Sequence, residues 1–267
     1  MKDNVKEIHP DSINYYIEKN LDDFYSKSSD HPNFGTSGKD KVNWVLAKNA
    51  DWPDCIFKAN FENKDLENEI KTVKNLIKNK KAPNGWTVGP LSKPKNLGNI
   101  LEKFGFSNVY HQAGMAVQLI NLKKRQFIEN VNFTIQKVEN EDTLFQWSNV
   151  VSNVFNLKVD FNYLKFMLVQ KEAVFCIGSY KEKPVSTLLL YLSSGVAGLH
   201  AVSTLSEFRG RGFGLAISRF ALEDAFKMGY FIGVLQASSL GERVYKKLGF
   251  QKYCDIYSYA LIEESEL

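Results

Sequence analysis

Apolar residues recur along this chain with two different periods, and these periods divide it into predicted helices and strands. A spacing of three to four residues indicates an amphipathic helix, whereas alternation or a short apolar run between turn residues indicates a strand. Before residue 121 the pattern predicts helices over 5–27, 63–80 and 96–104 and strands over 42–48, 54–61, 85–89 and 106–120.

After residue 130 the predicted strands and helices alternate. The strands are expected over 131–138, 173–180, 184–192, 196–203, 231–238 and 250–262, and the helices over 141–155, 160–169, 212–228 and 239–248. Such alternation predicts an α/β fold with helices on the faces of a central sheet. The short turn "YKEKP" at 180–184 allows its flanking strands to pair antiparallel, so the predicted sheet is mixed.

A charged connector, "NLKKRQFIEN" at 121–130, separates two segments of similar size. The segment "LEKFGF" at 101–106 is echoed by "YKKLGF" at 245–250, and each is typical of a helix that ends at a glycine before an aromatic residue opens a strand. We therefore predict two tandem copies of one fold, over residues 1–125 and 126–267, which are called the N-terminal half and the C-terminal half below.

Composition and charge exclude several classes of protein. Of the 267 residues, 44% are hydrophobic and 24% charged, which is ordinary for a globular chain. The net charge is only +4 and the lysines are scattered between carboxylates, so a dedicated nucleic-acid binder is not expected. The chain has no apolar run of membrane-spanning length, and its start, "MKDNVKEIHPDS", lacks the apolar core of a signal peptide. We expect a cytoplasmic protein that does not bind membranes.

The cysteines and histidines suggest no metal site. Cys55, Cys176 and Cys254 are far apart in apolar surroundings, which fits buried small side chains better than disulfides or a zinc site. The four histidines show no ligand spacing. We expect a protein without a bound metal.

The stretch "EFRGRGFG" at 207–214 carries the clearest chemical signal. Three glycines and two arginines lie between an apolar strand and a helix, so a ligand can approach the main chain where free amides and the helix dipole favour an anion. A P-loop or a dinucleotide-binding turn would need different spacing, and an Arg-Gly RNA-binding tract would be repeated. A plain glycine-rich turn with solvated arginines remains the alternative.

At this point the sequence resembles a known family. "VSTLSEFRGRGFG" is similar to the acyl-coenzyme A signature of the GNAT superfamily of N-acetyltransferases, Arg/Gln-x-x-Gly-x-Gly/Ala after a central strand. Downstream, "ASSLGERVYKKLGF" resembles the family's second motif, in which a tyrosine precedes Leu-Gly-Phe. The resemblance covers about 131–262. "LEKFGFSNVYHQAGMAV" looks like a worn second motif, so the whole resembles a tandem GNAT protein with a degenerate N-terminal copy.

The resemblance implies a coenzyme A site on the C-terminal half. In the family the central strand binds the pantetheine arm through main-chain groups, which here implicates Val202 and Thr204. The next strand would diverge from it near 236–238 and leave a wedge for the thioester. Ser238 stands where the family often has an asparagine that contacts the coenzyme. The turn that would hold the pyrophosphate contains Arg209, Gly210, Arg211, Gly212, Phe213 and Gly214.

Acyl transfer to an amine also needs proton transfers. Tyr245 matches the family tyrosine that acts as general acid on the coenzyme thiolate. Many members carry a glutamate base on the central strand, but this strand offers Gly198 and His200 instead. Side chains alternate between the two faces of a strand, so His200 is expected on the same face as Val202. His200 is therefore the candidate base, and the alternative is a histidine with a purely structural role. Glu207 is more typical of a solvated or capping carboxylate.

The sequence therefore predicts an acetyl-coenzyme A dependent N-acetyltransferase that acts on an amine of a small molecule or peptide, as a monomer or homodimer. Two alternatives stay open: an N-acyltransferase that uses a longer acyl-coenzyme A, similar to glycine N-acyltransferases, and a non-catalytic acyl-coenzyme A sensor. Trp44, Trp52, Trp86 and Trp147 are candidates for an aromatic acceptor pocket, although core positions are more typical of tryptophan. The sequence does not identify the acceptor.

Overall fold

The computed structural model of the chain describes residues 4–37, 42–61, 65–122 and 132–262. The N-terminal half contains three helices and five strands in these ranges. The helices are Pro10–Ser28 (α1), Leu66–Lys78 (α2) and Leu97–Lys103 (α3), and the strands are Phe34–Thr36 (β1), Asn43–Ala47 (β2), Cys55–Phe57 (β3), Trp86–Val88 (β4) and Phe106–Gln118 (β5).

The C-terminal half contains six strands and four helices among the described residues. The strands are Phe133–Lys137 (β6), Ala173–Tyr180 (β7), Lys183–Ser193 (β8), Val196–Thr204 (β9), Ile232–Ala237 (β10) and Gln251–Leu261 (β11). The helices are Glu141–Phe155 (α4), Phe161–Leu168 (α5), Phe213–Lys227 (α6) and Ser239–Leu248 (α7). Each of the predicted helices and strands is present, with shifted ends.

Some predicted ends are wrong for local reasons. Helix α1 begins at Pro10 and not at residue 5, because a proline has no amide hydrogen to donate and its φ suits the first helical position. Strand β3 ends at Phe57, since Lys58 has a φ of +54° and leaves the extended region. Strand β1 was not predicted, because three residues are too few to show an alternating pattern.

The eleven strands of the described residues form one sheet. Its mixed pairing was predicted, whereas the joining of both halves in one sheet was not. Their order is β1-β2-β3-β4-β11-β5-β10-β9-β8-β7-β6, with parallel pairing between β3 and β4 and between β9 and β10. The other neighbours run antiparallel.

The last strand of each half pairs with strands of the other half. Strand β11, at the end of the C-terminal half, lies between β4 and β5, and β5 in turn lies against β10. The proposed boundary between residues 125 and 126 falls outside the described residues, as does most of the charged connector. The sheet is therefore continuous across the two predicted halves.

Helix α1 covers the middle of this sheet and joins the halves. Ile13 and Ile17 pack into one apolar cluster with Ala116, Val234 and Ile256, which belong to β5, β10 and β11. Helices α6 and α7 pack with the central strands in a separate cluster. The first helix thus buries its apolar face largely on strands at the junction between the halves.

Cys55, Cys176 and Cys254 are free and buried, as predicted. No helix of the described part of the chain is long and apolar enough to cross a membrane.

Candidate active site

The glycine stretch forms the turn between β9 and α6. A short 3-10 turn over Ser206–Phe208 follows β9, and α6 begins directly after Gly212. Gly210 and Gly212 have φ values of +78° and +84°, a region that residues with a Cβ rarely adopt. No described atom lies within 4 Å of the place that a Cβ would take on either glycine. The main chain of this turn is open to a ligand.

The first turn of α6 supplies donors for an anion. The amide of Ala216 donates to the carbonyl of Gly212 at 2.9 Å, which is the first bond of the helix. A helix leaves the amides before this point without helical acceptors, and the dipole adds partial positive charge there. Among the described residues no side chain caps this end of the helix. The main chain of Phe213 and Gly214 therefore faces no competing cap.

Both arginines of the turn are exposed and held in place by main-chain carbonyls. Arg209 Nε donates to the carbonyl of Thr204 at 3.1 Å. Arg211 Nη2 donates to the carbonyl of Glu207 at 3.4 Å, and its guanidinium lies 5.2 Å from the centre of the Phe208 ring. Two positive charges thus flank the open main chain, as an anion site requires.

Two other residues of this stretch have structural side chains. Glu207 is exposed and lies 3.5 Å from Lys183 in an ion pair, which fits the expected solvated carboxylate. Phe213 is buried, and its ring stacks on that of Phe133 with centroids 4.1 Å apart. Phe213 can therefore contact an anion through its main chain only.

The central strands separate beside this turn. Strands β9 and β10 pair in parallel from Ala197–Gly233 to Leu199–Leu235, and no pairing follows among the described residues of these strands. Beyond Leu199, β9 therefore has no main-chain partner in β10 within the described part of the chain. The sequence-based expectation that these strands diverge agrees with this register.

A bulge in β9 accompanies the separation. Leu189 pairs with His200 and Thr187 with Ser203, so that β9 has one more residue than β8 in this interval. Ala201, inside the bulge, has a φ of +47°. The bulge bends β9 next to the gap and re-aims the side chains that follow it.

The bulge overturns one prediction about His200. Val202 packs against the apolar cluster that contains Leu199, whereas His200 stacks on Phe24 of α1, with ring centroids 4.8 Å apart. The prediction that His200 and Val202 share a strand face is therefore wrong, because the extra residue breaks the period of two. His200 faces α1 and the N-terminal half.

A cavity of about 260 Å³ occupies the gap between β9 and β10. Both halves line it. From the C-terminal half its lining includes His200, Val202, Ser238 and Tyr245, and from the N-terminal half it includes Phe24, Tyr25, Trp52, Thr87, Tyr110 and Gln112. None of the described residues that line this cavity is a lysine, arginine, aspartate or glutamate.

Tyr245 reaches the cavity from α7. Its side chain is only 8% exposed and packs with the cluster of α6 and α7, on the sheet face opposite α1. Burial raises the pKa of Tyr245 above its usual range, and a hydrogen bond with Ser218 partly offsets this effect. The phenol is therefore protonated at neutral pH and able to donate.

His200 reaches the cavity from the other face. Its Nε2 lies 3.0 Å from Oδ1 of Asn20, and its ring is held against Phe24. Burial lowers the pKa of His200 to about 4, so the imidazole is neutral at pH 7. A neutral ring can accept a hydrogen bond or a proton through its unprotonated nitrogen.

The two remaining predicted residues are Ser238, at the start of α7, and Thr204, at the end of β9. The Ser238 hydroxyl accepts a hydrogen bond from the Gly241 amide at 3.1 Å and caps α7, so its first role is structural. Thr204 Oγ1 lies 3.1 Å from Ser186 Oγ at the end of β9, between the cavity and the glycine turn. Thr204 and the glycine turn are not among the residues that line the cavity.

The sequence predicts that the N-terminal half helps to form the acceptor pocket or an interface, but it does not identify α1 as the helix that lines the cavity. Besides Phe24, this helix carries Glu18 and Asp22, which are 3% and 4% exposed and lie one turn apart. Glu18 accepts a hydrogen bond from the Leu91 amide at 2.5 Å. Burial raises the pKa of Glu18 to about 7 and, together with the charge of Glu18, that of Asp22 to about 8. The sequence did offer one signal for a functional role of α1, because Glu18 and Asp22 are acids next to Ile17 and Leu21 on the apolar face of this helix.

Three of the four tryptophans belong to the core and one lies at the cavity. Trp44, Trp86 and Trp147 are buried, whereas Trp52 lines the cavity and stacks on Phe24 with centroids 5.6 Å apart. The described residues contain no group of three or more His, Cys, Asp or Glu side chains placed to hold a metal ion.

Comparison with known proteins supports the fold. Residues 137–250 match the model of the acetyltransferase (GNAT) family. Among curated sequences none is similar enough to count as a match. A GCN5-related N-acetyltransferase from Kribbella flavida superposes with a TM-score of 0.70 at 14% identity, over 91% of this chain and 95% of the other.

Two further solved structures are similar over most of their length. A GCN5-related N-acetyltransferase from Sphaerobacter thermophilus has a TM-score of 0.61 and 16% identity, covering 95% of this chain and 93% of that one. A tandem GNAT protein from the clavulanic acid biosynthesis pathway has a TM-score of 0.58 and 10% identity, over 85% and 83% of the two chains. At these identities the likeness establishes a shared fold.

Proposed function

We propose, on the premise that residues 137–250 belong to the acetyltransferase (GNAT) family, that this chain transfers an acetyl group from coenzyme A to an amine. The observation that carries the proposal is the continuity of three features. An open, cation-flanked helix start lies at the end of β9, β9 separates from β10, and the resulting cavity ends at the buried phenol of Tyr245.

The coenzyme would lie along this path. Its pyrophosphate would accept hydrogen bonds from the amides around Gly212 and Gly214 beside Arg209 and Arg211. The pantetheine arm would pair with main-chain groups of β9 at Val202 and Thr204, where β10 no longer pairs with β9. Ser238, as the cap of α7, would contact the arm from the other strand. The thioester would then enter the cavity.

Two groups on opposite faces of the sheet would handle the protons. The attacking nitrogen forms a bond to the thioester carbon and becomes acidic, so a neutral His200 can take its proton. As the C–S bond breaks, the thiolate takes the proton of Tyr245, whose raised pKa keeps it protonated at neutral pH. Both groups line one cavity, from the α1 face and the α7 face respectively.

The size and lining of the cavity favour a particular pair of substrates. A volume of about 260 Å³ has room for an acetyl group and the reacting part of a small acceptor. The lining carries aromatic rings and hydroxyl or amide groups but no lysine or arginine. An acceptor with a carboxylate would leave that charge buried without a partner, so an amino acid such as glycine fits poorly. The expected acceptor is an amine without a carboxylate, on an aromatic or otherwise uncharged scaffold.

Calorimetry with coenzyme A tests the central step. We expect coenzyme A to bind at micromolar to millimolar concentration and pantetheine, which lacks the pyrophosphate, to bind at least tenfold more weakly. Equal affinity for the two ligands, or no binding of coenzyme A at millimolar concentration, would contradict the proposal. A panel of acetyl-, propionyl- and hexanoyl-coenzyme A, followed by free thiol release, then tests acyl length.

A further inference from the structure

Asn20 of α1 occupies space that Gly198 of β9 leaves empty. A Cβ on Gly198 would lie 1.8 Å from Asn20 Oδ1 and 2.9 Å from His200 Nε2, closer than any side chain allows. Glycine at this position is therefore a condition for the contact between Asn20 and His200. A side chain from the N-terminal half thus reaches the strand that carries the candidate base.

The orientation of the Asn20 amide follows from its other contacts. Its Nδ2 donates to the main-chain carbonyl of Tyr191 at 3.0 Å and to Oγ of Ser193 at 2.9 Å. A carbonyl only accepts, so the nitrogen of the amide must face Tyr191 and the oxygen must face His200. Oδ1 lies 3.0 Å from His200 Nε2 and can only accept, so Nε2 carries the hydrogen.

This bond leaves one nitrogen of His200 without a hydrogen. In a neutral imidazole with Nε2 protonated, Nδ1 holds a lone pair. Among the described residues none forms a hydrogen bond with His200 Nδ1. His200 lines the cavity, and stacking on Phe24 fixes the plane of its ring. The polar atom of His200 that remains for a ligand is therefore Nδ1.

We infer that Asn20 is a positioning residue for the acyl transfer: it holds His200 as the tautomer whose Nδ1 accepts the proton of the attacking amine. The inference rests on the proposed function. In the acyl transfer the amine nitrogen forms a bond to the thioester carbon, and its proton passes to Nδ1 of His200. The C–S bond breaks, and the thiolate takes the proton of Tyr245. His200 then loses its proton to water and Tyr245 regains one from water, which restores both groups.

Nitrogen NMR of the whole chain with ¹⁵N-labelled histidine tests the tautomer without any substitution. At pH 7 we expect His200 to be neutral with the hydrogen on Nε2. Addition of tyramine to the protein saturated with coenzyme A should shift the Nδ1 signal. A hydrogen on Nδ1, a charged ring at pH 7, or an unchanged Nδ1 signal with tyramine would each overturn the inference. Failure to bind coenzyme A would instead contradict the proposed function.

Substitution of Asn20 tests the positioning role. We expect Asn20→Leu to lower kcat with acetyl-coenzyme A and tyramine at least tenfold, with the Kd of coenzyme A within twofold. The NMR spectrum should then show a mixture of His200 tautomers. Asn20→Asp keeps an oxygen acceptor for Nε2 and adds a negative charge, so it should recover part of kcat and move the acidic limb of the pH profile upward.

Asn14 provides the matched control, because it lies on the same helix, six residues earlier, and does not line the cavity. Asn14→Leu should leave both kcat and the His200 spectrum unchanged. An Asn20→Leu variant that retains the wild-type tautomer and kcat would overturn the positioning role. If that variant does not fold, the spectrum of Asn20→Asp and of the unmodified chain still decides the question.

Discussion

Leu199 of β9 and Leu235 of β10 are the last residues to pair between the two strands at the centre of the sheet. Beyond this pair the strands separate around the cavity, which α1 closes with Phe24 on one face and α7 closes with Tyr245 on the other. Because α1 comes from the N-terminal half, both halves of the chain build the candidate site.

A substitution at Gly212 should weaken coenzyme A binding. An alanine at φ +84° costs roughly 1–2 kcal/mol, so the turn would move away from the conformation that presents its amides. We expect Gly212→Ala to raise the Kd of coenzyme A about tenfold, measured by calorimetry. Gly229→Ala is the control, because Gly229 has a similar φ of +87° at the other end of α6. It should lower the Tm but leave the Kd unchanged.

Removing the Tyr245 hydroxyl should affect turnover and not binding. Loss of a general acid lowers the rate by roughly 10² to 10⁴. We expect Tyr245→Phe to lower kcat by that factor, with the Kd of coenzyme A within twofold, in stopped-flow and calorimetric measurements. Tyr253→Phe serves as the control, since the Tyr253 hydroxyl contacts Gln251 away from the cavity. A Tyr245→Phe enzyme with wild-type kcat would remove Tyr245 from the mechanism.

The buried acids of α1 should make stability fall as pH rises. Burial and the neighbouring Glu18 raise the pKa of Asp22 to about 8, while Lys19 and Lys58 oppose this and Asp23 adds to it. The native state therefore holds a proton that the unfolded state releases near pH 4. The associated stability is present below that pH and is lost as the pH passes 8.

Asp22→Asn tests this sign by urea unfolding at pH 6 and pH 9. The variant should gain stability relative to the wild type on going from pH 6 to pH 9, by an amount on the order of 1 kcal/mol or more. Asp11→Asn, on the first turn of the same helix and exposed, should show no such change. An Asp22→Asn effect that is equal at the two pH values would contradict the shift.

Local motifs could be predicted from sequence because their geometry is local. The turn at Gly212 and the glycine end of α7 depend on neighbouring residues, and the structure has both. The cap that Ser238 forms on α7 was not predicted. The bulge at Ala201 leaves no mark in the apolar pattern, so the face of Val202 relative to His200 was predicted wrongly. A single inserted residue in the pairing has no local sequence signal here.

Contacts between distant parts of the chain could not be predicted in the same way. The hydrogen bond from His200 to Asn20 joins residues 180 positions apart, and the pairing of Thr87 with Ser258 spans the two halves. The polarity pattern shows that α1 has an apolar face but not which strands cover it. The aromatic lining from α1 depends on that packing, so Phe24 and Tyr25 were not predicted, and Trp52 could not be told apart from the three tryptophans of the core.

The interleaved strands predict that the halves do not fold independently. Strand β11 separates β4 from β5, so a fragment of residues 1–125 lacks the strand that joins its own strands. We expect this fragment alone to give the circular dichroism spectrum of an unfolded chain and an NMR spectrum with little chemical-shift dispersion. Coexpression with residues 126–267 should restore a folded, one-to-one complex. A stably folded fragment 1–125 would contradict the role of β11.

The uncharged cavity predicts a preference that two matched compounds can reveal. Tyramine and tyrosine differ by one carboxylate, and no lysine or arginine among the described lining residues can pair with that charge. Glu18 and Asp22 lie buried on the same helix as Phe24 and Tyr25, and when ionised they add repulsion. Burying an unpaired carboxylate costs several kcal/mol. We expect kcat/KM for tyramine to exceed that for tyrosine by at least about a hundredfold, measured by thiol release from acetyl-coenzyme A.

A second pair separates this effect from recognition of the phenol. Phenethylamine and phenylalanine have the same difference in charge but no hydroxyl, so their ratio should be similar if the carboxylate is the cause. A ratio near one in both pairs would show that the carboxylate stays in solvent, and the acceptor would then enter by another route. A large ratio in the first pair alone would assign the preference to the hydroxyl groups of the cavity, such as those of Thr87 and Tyr110, and not to its lack of cations.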